Sequence, residues 1–535
     1  MIMKKILRYK WLVLIMVSVF TLGCKKFLDI NSNPVNPQEP KAEFLMAPII
    51  FQMANGTAQD YRVLFKITQN WGNTEASDVW ERHTFSASSD VGGVIWRMTY
   101  VNLGLNLEEM IKDGLANQKY EFVGIGYAIK AWAYQITTDY HGPIILDEAF
   151  KPNTLFYKYQ DQPEVYAKVR EWSDLAIKYL SMESPTNQSA FLRGVTGDGI
   201  YGGDTNKWKK FVYANLALQY SHLTNKDKFV THYADSVIKY TDLSFANTSE
   251  DPTIFFTASN SSDGNPFGGQ YGIVTSTAYG RIGQPIVDLL TGGVRGTATP
   301  DTTASVDPRL TRMIVPIAGN TGIYRGKIAT KANTTYAAPH ALGTLPSGAG
   351  ATYPGWYIFA DKARYPLMSY SQLQFAKAEA YFKKGDLGSA HAAYINGIRA
   401  HMDFTNTYGR SSSSPAPLIT ATEITNYLAS SEVAQNPSQL TIADIMQQKY
   451  IAQWGWAGVE QWCDIRKYHY DPTVFRTYYQ LSSTELASAN NGKFAYRIRP
   501  RYNSEYVWNE TELNRWGALR GDYMTMETWF SKPGE

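Results

Sequence analysis

The stretch AEAYFKKGDLGSAHAAYINGI, residues 378–398, predicts two helices that meet at a sharp turn and pack closely against each other. Ala378 and Ala390 are small enough to let two helices approach, and Tyr381 and Tyr394 can fill the space between successive turns. Gly385 stands between the two halves, where helices commonly end in a left-handed residue. The stretch therefore predicts an antiparallel helix pair.

The spacing within this pair matches a tetratricopeptide repeat, in which small and aromatic residues recur at fixed offsets. A weaker echo is present at Ala217, Tyr220 and Tyr233. Other positions depart from the repeat, since Gln374 stands where Trp is common. Any antiparallel helix pair produces part of this pattern, so an ordinary helix pair stays the alternative.

Apolar residues spaced three and four apart predict helices over most of the remaining chain. Asp204 is a candidate N-cap for one of them, and a calcium loop that includes Asp198 is the alternative, although the EF-hand register is missing. The predicted helices are Ala42–Asn55, Val91–Ala116, Tyr120–Tyr140, Glu164–Leu180, Lys207–Thr224, Lys228–Asp242, Ser369–Lys384, Leu387–Met402, Ala421–Ser430 and Thr441–Trp454.

The main domain, residues 41–535, contains regions that differ in composition and in hydrophobic periodicity. Residues 41–242 and 366–470 are helical in pattern, whereas residues 243–365 are dense in Gly, Thr, Ser, Asn and Pro. A structureless loop of that length is improbable in a compact domain. We therefore predict a loop-rich insert with short strands and one helix at Pro285–Leu290, followed by an irregular tail over 471–535.

The N-terminus has the pattern of a secretory signal. A positive start at Lys4, Lys5, Arg8 and Lys10 precedes an apolar run from Trp11 to Leu22. That run is too short to span a hydrocarbon core of about 30 Å. We predict that residues 1–23 are a signal peptide.

Cys24 indicates which kind of signal this is. Leu22-Gly23-Cys24 resembles a bacterial lipoprotein cleavage site, although Thr21 stands where Leu is usual. We predict that Cys24 is lipidated and that residues 24–40, rich in Asn and Pro, form a flexible tether to the outer membrane. An uncleaved anchor or a chance cysteine is the alternative.

Composition restricts the partners of the secreted chain. Loss of residues 1–23 removes four of the 51 Lys and Arg and none of the 48 Asp and Glu, so the remainder is nearly neutral. No basic excess is left for nucleic acid. Cys463 is then the one remaining thiol, which excludes an intrachain disulfide. Aromatic residues make up 14% of the chain, which favours a surface for ligands that have an apolar face.

No catalytic, cofactor or metal motif is present in the sequence. H-E-x-x-H, G-x-S-x-G and the phosphate-binding Gly-rich loop are all missing, and the eight histidines show no metal-ligand spacing. Asp139, Asp147 and Glu148 are close in sequence, but any chain of this size offers such carboxylate pairs. We predict a binding protein and no enzyme.

Aromatic residues outside the predicted helical cores are the candidate ligand contacts. Flat rings can cover the C–H face of a sugar, while polar neighbours hydrogen-bond its hydroxyl rim. Local loop packing is the alternative for each residue. The candidates are Trp71, Trp80, Trp96, Phe267, Tyr271, Tyr279, Arg281, Tyr353, Trp356 and Tyr357.

Four segments together resemble one known family. FLDINSNP (27–34), ITTDYHGPIILDEAF (136–150), RYPLMSYSQLQFAKAEAYF (364–382) and IMQQKYIAQWGWAGVEQWCDIRKYHYDP (445–472) are similar to the SusD/RagB nutrient-binding outer-membrane lipoproteins, in the branch that opens with FLDIN-x-NP. Their order and spacing are more specific than any one of them. Lys467 and Cys463 depart from the family pattern, which puts local packing in doubt.

The resemblance implies a mostly α fold, with tetratricopeptide-like helix pairs in a right-handed superhelix around a loop-rich, short-strand, ligand-facing region. It also implies a lipid-anchored protein, exposed on the outer membrane, that captures glycans and delivers them to a SusC-like TonB-dependent barrel. Capture of peptides or other nutrients by the same assembly is the first alternative. A tetratricopeptide scaffold that binds no ligand is the second.

Overall fold

The computed structural model describes residues 40–194, 197–260, 263–268, 280–300, 306–317, 322–333, 338–339, 357–409 and 417–534. All the elements below lie in one compact unit, residues 42–535. Cys24 and the predicted signal peptide lie outside the described residues.

The fold is mostly helical, as the sequence predicted, with strands of two residues each. In chain order the helices of the described residues are α1 (Ala42–Ile67), α2 (Val94–Arg97), α3 (Leu105–Ala116), α4 (Tyr120–His141), α5 (Gln162–Leu180), α6 (Ser189–Leu192), α7 (Thr205–His222), α8 (Ala234–Leu243), α9 (Gln284–Asp288), α10 (Leu310–Met313), α11 (Tyr370–Lys384), α12 (Leu387–Tyr408), α13 (Ala421–Leu428), α14 (Ile442–Gln453), α15 (Gly458–Lys467) and α16 (Glu510–Arg515).

Residues 378–398 form the predicted helix pair, α11 and α12. Ala378, Ala390 and Tyr394 are fully buried between the two helices and their neighbours. Gly385 ends α11 with φ of +80°, a conformation that favours glycine, and the Asp386 side chain accepts a hydrogen bond from Ser389 N at 3.0 Å to cap α12. The turn therefore reverses the chain within two residues.

Helix ends follow capping chemistry more closely than periodicity. Asp204 accepts hydrogen bonds from Asn206 N and Lys207 N, which confirms the predicted cap of α7. Asp161 and Glu164 form a capping box at the start of α5. Two helices extend beyond their predicted ends, α1 to Ile67 and α12 to Tyr408. Buried residues line both extensions. Helix α15 was not predicted.

Several segments are not α-helical, including parts of predicted helices. π-Helical turns occupy Met98–Gly104, Phe229–Tyr233, Leu289–Gly293 and Tyr502–Tyr506. Short 3₁₀ turns occupy Leu223–Asn225, Thr248–Glu250, Pro437–Gln439, Ser488–Asn490 and Tyr523–Thr525. The predicted helix Val91–Ala116 is therefore α2, a π turn and α3 in succession.

The strands of the described residues pair in three short antiparallel ladders that tie distant segments together. These strands are β1 (Trp71–Gly72), β2 (Ile144–Ile145), β3 (Tyr159–Gln160), β4 (Thr253–Ile254), β5 (Arg281–Ile282) and β6 (Tyr365–Pro366). β1 pairs with β5, β2 with β3, and β4 with β6. β5 thus joins the loop-rich insert to the helical part, and β4 pairs with β6 where the insert ends. Among the described helices, none is both long and apolar enough to cross a membrane.

Candidate functional site

Three predicted ligand contacts come together in the structure, but they do so inside the core. Trp71, Phe267 and Tyr357 are 2%, 1% and 0% exposed. With Phe65, Phe359 and Trp454 they form the Trp71 cluster, a buried aromatic cluster defined by these six rings. The centroids of Trp71 and Phe267 are 5.6 Å apart and their planes cross at 84°. The expectation that these rings are available on loops is therefore wrong, and burial favours the local-packing alternative.

The polar residues around Trp71 led us to expect an exposed loop, but they are buried as ion pairs. Lys66 and Asp78 form an ion pair of 2.6 Å, and Lys327 and Glu81 form one of 3.2 Å, with all four side chains under 10% exposed. Charged residues that pair with each other are compatible with burial. The loop around Trp71 is polar in sequence and buried in the fold for this reason.

Apart from Trp96, the remaining candidates give no open aromatic surface in the described residues. Trp80 is 5% exposed and packs against Gly92, whose φ is +87°. Arg281 is half-buried and donates a hydrogen bond to Ala338 O at 3.3 Å. Desolvation lowers its pKa. Tyr271, Tyr279, Tyr353 and Trp356 lie outside the described residues.

Trp96 is as buried as Trp71, at 2% exposed, but it lines a cavity of about 290 Å³, which we call the Trp96 cavity. Aromatic and aliphatic side chains dominate its surface, and a few polar groups converge on it. The lining residues are Trp96, Tyr100, Val101, Leu105, Ile145, Ala149, Phe150, Lys151, Tyr157, Arg501, Ser504 and Glu505. This composition is typical of a small-molecule binding site.

A buried carboxylate holds the chain that leads into Trp96. Asp60 on α1 accepts hydrogen bonds from Gly92 N at 3.1 Å and from Ile95 N at 2.7 Å. Burial raises the pKa of Asp60 to about 7, although the backbone donors oppose that shift. The first turn of α2 is thereby fixed, and the indole of Trp96 is fixed with it.

The π turn at Met98–Gly104 supplies the next part of the cavity. Tyr100 donates a hydrogen bond to Ile145 O at 2.5 Å, and its ring centroid lies 5.0 Å from that of Trp96. Phe150, with φ of +62°, lies over Gly104, where a Cβ would collide with its ring. π-Helical turns are rare and are often found at functional sites.

The opposite wall comes from the C-terminal tail, in the π turn Tyr502–Tyr506. Glu505 is 5% exposed, and its Oε2 accepts hydrogen bonds from Tyr159 Oη at 2.5 Å and from Asn509 Nδ2 at 3.0 Å. Its Oε1 accepts none from the described residues. The buried hydroxyl of Ser504 likewise has no partner among them. Both residues line the cavity, so a ligand can supply the missing hydrogen bonds.

An apolar rim surrounds the mouth of the cavity. Val101 is 59% exposed and Leu105 is 57% exposed, and both line it. The sequence predicted Trp96 but missed the tail residues and Phe150. The short Tyr-rich run around Tyr502 was the available signal, and without a regular period it was assigned to an irregular tail.

Among the described residues, one group of side chains has metal-ligand chemistry. Asp139, His222 and Cys463 bring their ligand atoms within 4.8 Å of one another, and all three are buried. His222 Nε2 lies 2.9 Å from Glu460 Oε2, and its Nδ1 lies 3.3 Å from Asp139 Oδ2. Burial alone would lower the pKa of His222, but Cys463, Glu460 and Asp139 raise it well above its ordinary value. The group is best described as a cationic imidazole between two carboxylates, which is not the ligand form of histidine.

The geometry leaves little room for carboxylate catalysis at Asp139. Its oxygens accept hydrogen bonds from Gln135, Gln162 and Tyr166, and the residue is fully buried. Asp147 is exposed at the start of the turn after β2. The two groups do not share an open cleft lined by described residues.

Solved structures share this fold across nearly the whole chain. A SusD/RagB family protein from Bacteroides thetaiotaomicron aligns over 92% of this chain and 99% of its own, at 21% identity and a TM-score of 0.64. A SusD homologue from Bacteroides fragilis covers 92% and 100%, at 17% identity and a TM-score of 0.69. A chitin-binding SusD homologue from Flavobacterium johnsoniae covers 92% and 98%, at 16% identity and a TM-score of 0.66.

A search of curated proteins found no match to the chain. A family model, described as "starch-binding associating with outer membrane", matches residues 34–499. That match covers the helical regions, the loop-rich insert and the start of the tail. The chain therefore belongs to the SusD-like family of starch-binding proteins that associate with the outer membrane.

Proposed function

We propose that this protein captures oligosaccharides in the Trp96 cavity. The observation that carries the proposal is the pairing of aromatic rings, from Trp96, Tyr100 and Tyr157, with the spare hydrogen-bonding capacity of Ser504 and Glu505. Rings cover the C–H face of a sugar, and the carboxylate and hydroxyl bond its hydroxyls. The family description and the chitin-binding relative support a carbohydrate ligand.

The cavity volume indicates how much of a glycan is enclosed. About 290 Å³ is just below the usual range for ligand sites, roughly 300–1,000 Å³. We therefore expect the cavity to enclose one end of an oligosaccharide. The remaining sugar units then cross the apolar rim at Val101 and Leu105. Affinity then depends on the terminal sugar more than on chain length.

The transport role is part of the same proposal. A lipid on Cys24 would hold the protein at the cell surface, and a SusC-like TonB-dependent barrel would receive the captured glycan. Cys24→Ala should move the protein out of the outer-membrane fraction. Affinity purification from native membranes in mild detergent should recover the barrel, and recovery of an isolated monomer would count against delivery.

Two alternatives stay open to experiment. A peptide could place an apolar side chain between the rings and its backbone amides against Ser504 and Glu505. A scaffold without ligand is less compatible with a formed cavity on which the unpartnered Ser504 hydroxyl and the Glu505 carboxylate converge.

The decisive experiment is calorimetry of the full chain with oligosaccharides of starch, chitin and xylan and with short peptides. Phe150→Ala should weaken oligosaccharide binding about tenfold to a hundredfold, by analogy with the loss of one stacking ring. Phe44→Ala is the matched control, because Phe44 is 67% exposed and does not line the cavity. Binding of peptides alone, or equal binding by Phe150→Ala and the parent, would contradict the proposal.

A further inference from the structure

A second cavity, of about 450 Å³, lies between the loop-rich insert and the tail and shares no lining residue with the Trp96 cavity. We call it the Asp288 cleft. Polar side chains make up a larger part of its surface than they do in the Trp96 cavity. They belong to Gln284, Asp288, Arg476, Thr477, Tyr479 and Gln480.

Asp288 is the central unexplained group of the cleft. It is half-buried at the end of α9, and its Oδ1 accepts a hydrogen bond from Gln284 Nε2 at 2.6 Å. None of the described residues donates a hydrogen bond to Oδ2, and none of their cationic groups lies within ion-pair distance of Asp288. Burial raises the pKa of Asp288 to about 6, and the Gln284 amide only partly offsets that effect. A carboxylate held in this way has an oxygen ready for a ligand.

The other side of the cleft adds further unused groups. Thr477 makes no side-chain hydrogen bond with the described residues. Gln480 donates from Nε2 to Tyr470 O at 3.1 Å, which leaves its Oε1 without a donor among them. Arg476 donates to Val294 O at 2.9 Å and lies 3.9 Å from Asp444 Oδ1. Acceptors and donors are thus presented together.

The segment 476–480 has no regular secondary structure, yet it is held in place. The Gln69 side chain accepts from Tyr479 N and donates to Tyr479 O, both at 2.9 Å, as a paired strand would. Tyr478 donates to Ile67 O at 2.8 Å. Gln69 adopts φ of +58° in making these contacts, and such strain is often found at functional sites. The cleft is therefore preorganised.

The mixture of groups decides the chemistry of the ligand. A simple anion is bound by cationic groups, but the Asp288 carboxylate would repel it and Arg476 already lies near the Asp444 carboxylate. A calcium ion needs about 6–8 oxygen ligands, and among the described lining residues Asp288 is the one carboxylate. A hydroxyl both donates and accepts, so it suits Asp288, Thr477 and Gln480 equally. Neighbouring hydroxyls on one ring can bridge them.

We propose that the Asp288 cleft is a second saccharide-binding site, which takes a neutral, hydroxyl-rich ring between Asp288 on the insert and Thr477 and Gln480 on the tail. The site is independent of the Trp96 cavity and recognises hydroxyl groups, with little aromatic stacking. A polysaccharide chain can therefore be held at two places on one molecule.

Ligand-observed saturation-transfer NMR of the full chain with maltose, cellobiose and chitobiose tests this proposal. The Phe150→Ala protein, or Leu105→Asp if that variant does not fold, should still bind at least one disaccharide. In that background Asp288→Asn should weaken binding about tenfold, because a charge-assisted hydrogen bond is lost while the side-chain shape is kept. Thr477→Val should weaken it several-fold.

Thr473→Val is the matched control for Thr477→Val, since Thr473 is exposed and does not line the cleft. Thermal melts establish that each variant is folded. The proposal is overturned if inactivation of the Trp96 cavity removes all disaccharide binding, or if Asp288→Asn and Thr477→Val bind as well as their background. It is also overturned if sodium sulfate or calcium chloride occupies the cleft in preference to the sugars.

Discussion

The Trp71 cluster and the Trp96 cavity contain the same kinds of residue and differ in what closes over them. Around Trp71, rings from the insert, from α1 and from Trp454 just after α14 pack against one another. Around Trp96, two π turns and a left-handed Phe150 leave about 290 Å³ open. Aromatic content alone therefore does not distinguish a core from a binding site. Irregular backbone beside the ring is the more informative feature.

Removal of the Trp71 ring should have the largest effect on the free energy of unfolding. Trp71→Ala should lower the free energy of unfolding by about 3–5 kcal/mol, because a buried indole leaves a cavity among packed rings. Urea unfolding measures the loss. Ligand affinity of the fraction that stays folded should be unchanged. If Trp71→Ala melts at nearly the same temperature as the parent but no longer binds ligand, Trp71 is a site residue. The contrast between the Trp71 cluster and the Trp96 cavity would then not hold.

The contribution of Asp60, which holds the chain before Trp96, to the free energy of unfolding should depend on pH. The pKa of Asp60 is raised from 3.8 to about 7 in the folded protein, so the folded state binds the extra proton between these values. This group should therefore lower the free energy of unfolding by about 1.4 kcal/mol per pH unit as pH rises through that window, and its effect should be constant above it.

Asp60→Asn cannot ionise and isolates this contribution. Urea unfolding of the parent and the variant from pH 4.5 to 8 should show a steeper decline in the parent. Other titrating groups cancel in the difference. Equal slopes would show that the carboxylate is not held protonated, and that the support of α2 depends on its hydrogen bonds alone.

Glu505 should affect binding more than stability. Glu505→Gln keeps an acceptor for Tyr159 but loses the charge, so oligosaccharide binding should weaken by about 1–1.5 kcal/mol, or roughly tenfold. Calorimetry gives the affinity, and a parallel melt should shift little. A large fall in melting temperature with unchanged affinity would place Glu505 with the Trp71 cluster as a structural residue.

The rim should show the smallest effect. Leu105→Ala removes an exposed side chain, so stability should change by less than about 0.5 kcal/mol while affinity for longer oligosaccharides falls a few-fold. Leu115→Ala on the same helix is the matched control, since Leu115 is 42% exposed and does not line the cavity. Equal affinities for both variants would restrict the site to the interior rings.

The fold was largely predictable because helix signals are local. Gly385 and Asp386 mark a turn that a reader of the sequence can place to the residue, and Asp204 marks a cap. The right-handed superhelix and the domain boundaries stay predictions. Helix α15 was missed because Gly458 and five polar residues interrupt its period while the helix is buried on nearly all sides.

The site was only partly predictable because its walls come from distant parts of the chain. Trp96 was identified, but Phe150 and Glu505 join it through contacts that span about 50 and 400 residues of sequence. Exposure was misjudged at Trp71 because Lys66 and Asp78 neutralise each other inside the fold. A polar sequence around a ring indicates hydrogen-bond partners and does not by itself indicate solvent.

The π turn at Met98–Gly104 has a consequence for how such proteins diverge. A π turn contains one residue more than the α-helical turn it replaces, and each residue rotates a helix by about 100°. Deletion of a single codon here would restore a regular helix, keep α3 on its register against α1 and swing Tyr100 away from Trp96. Ligand preference can thus change in one evolutionary step without a substitution in the pocket. A gap of one residue at this point in an alignment deserves the same weight as a changed side chain.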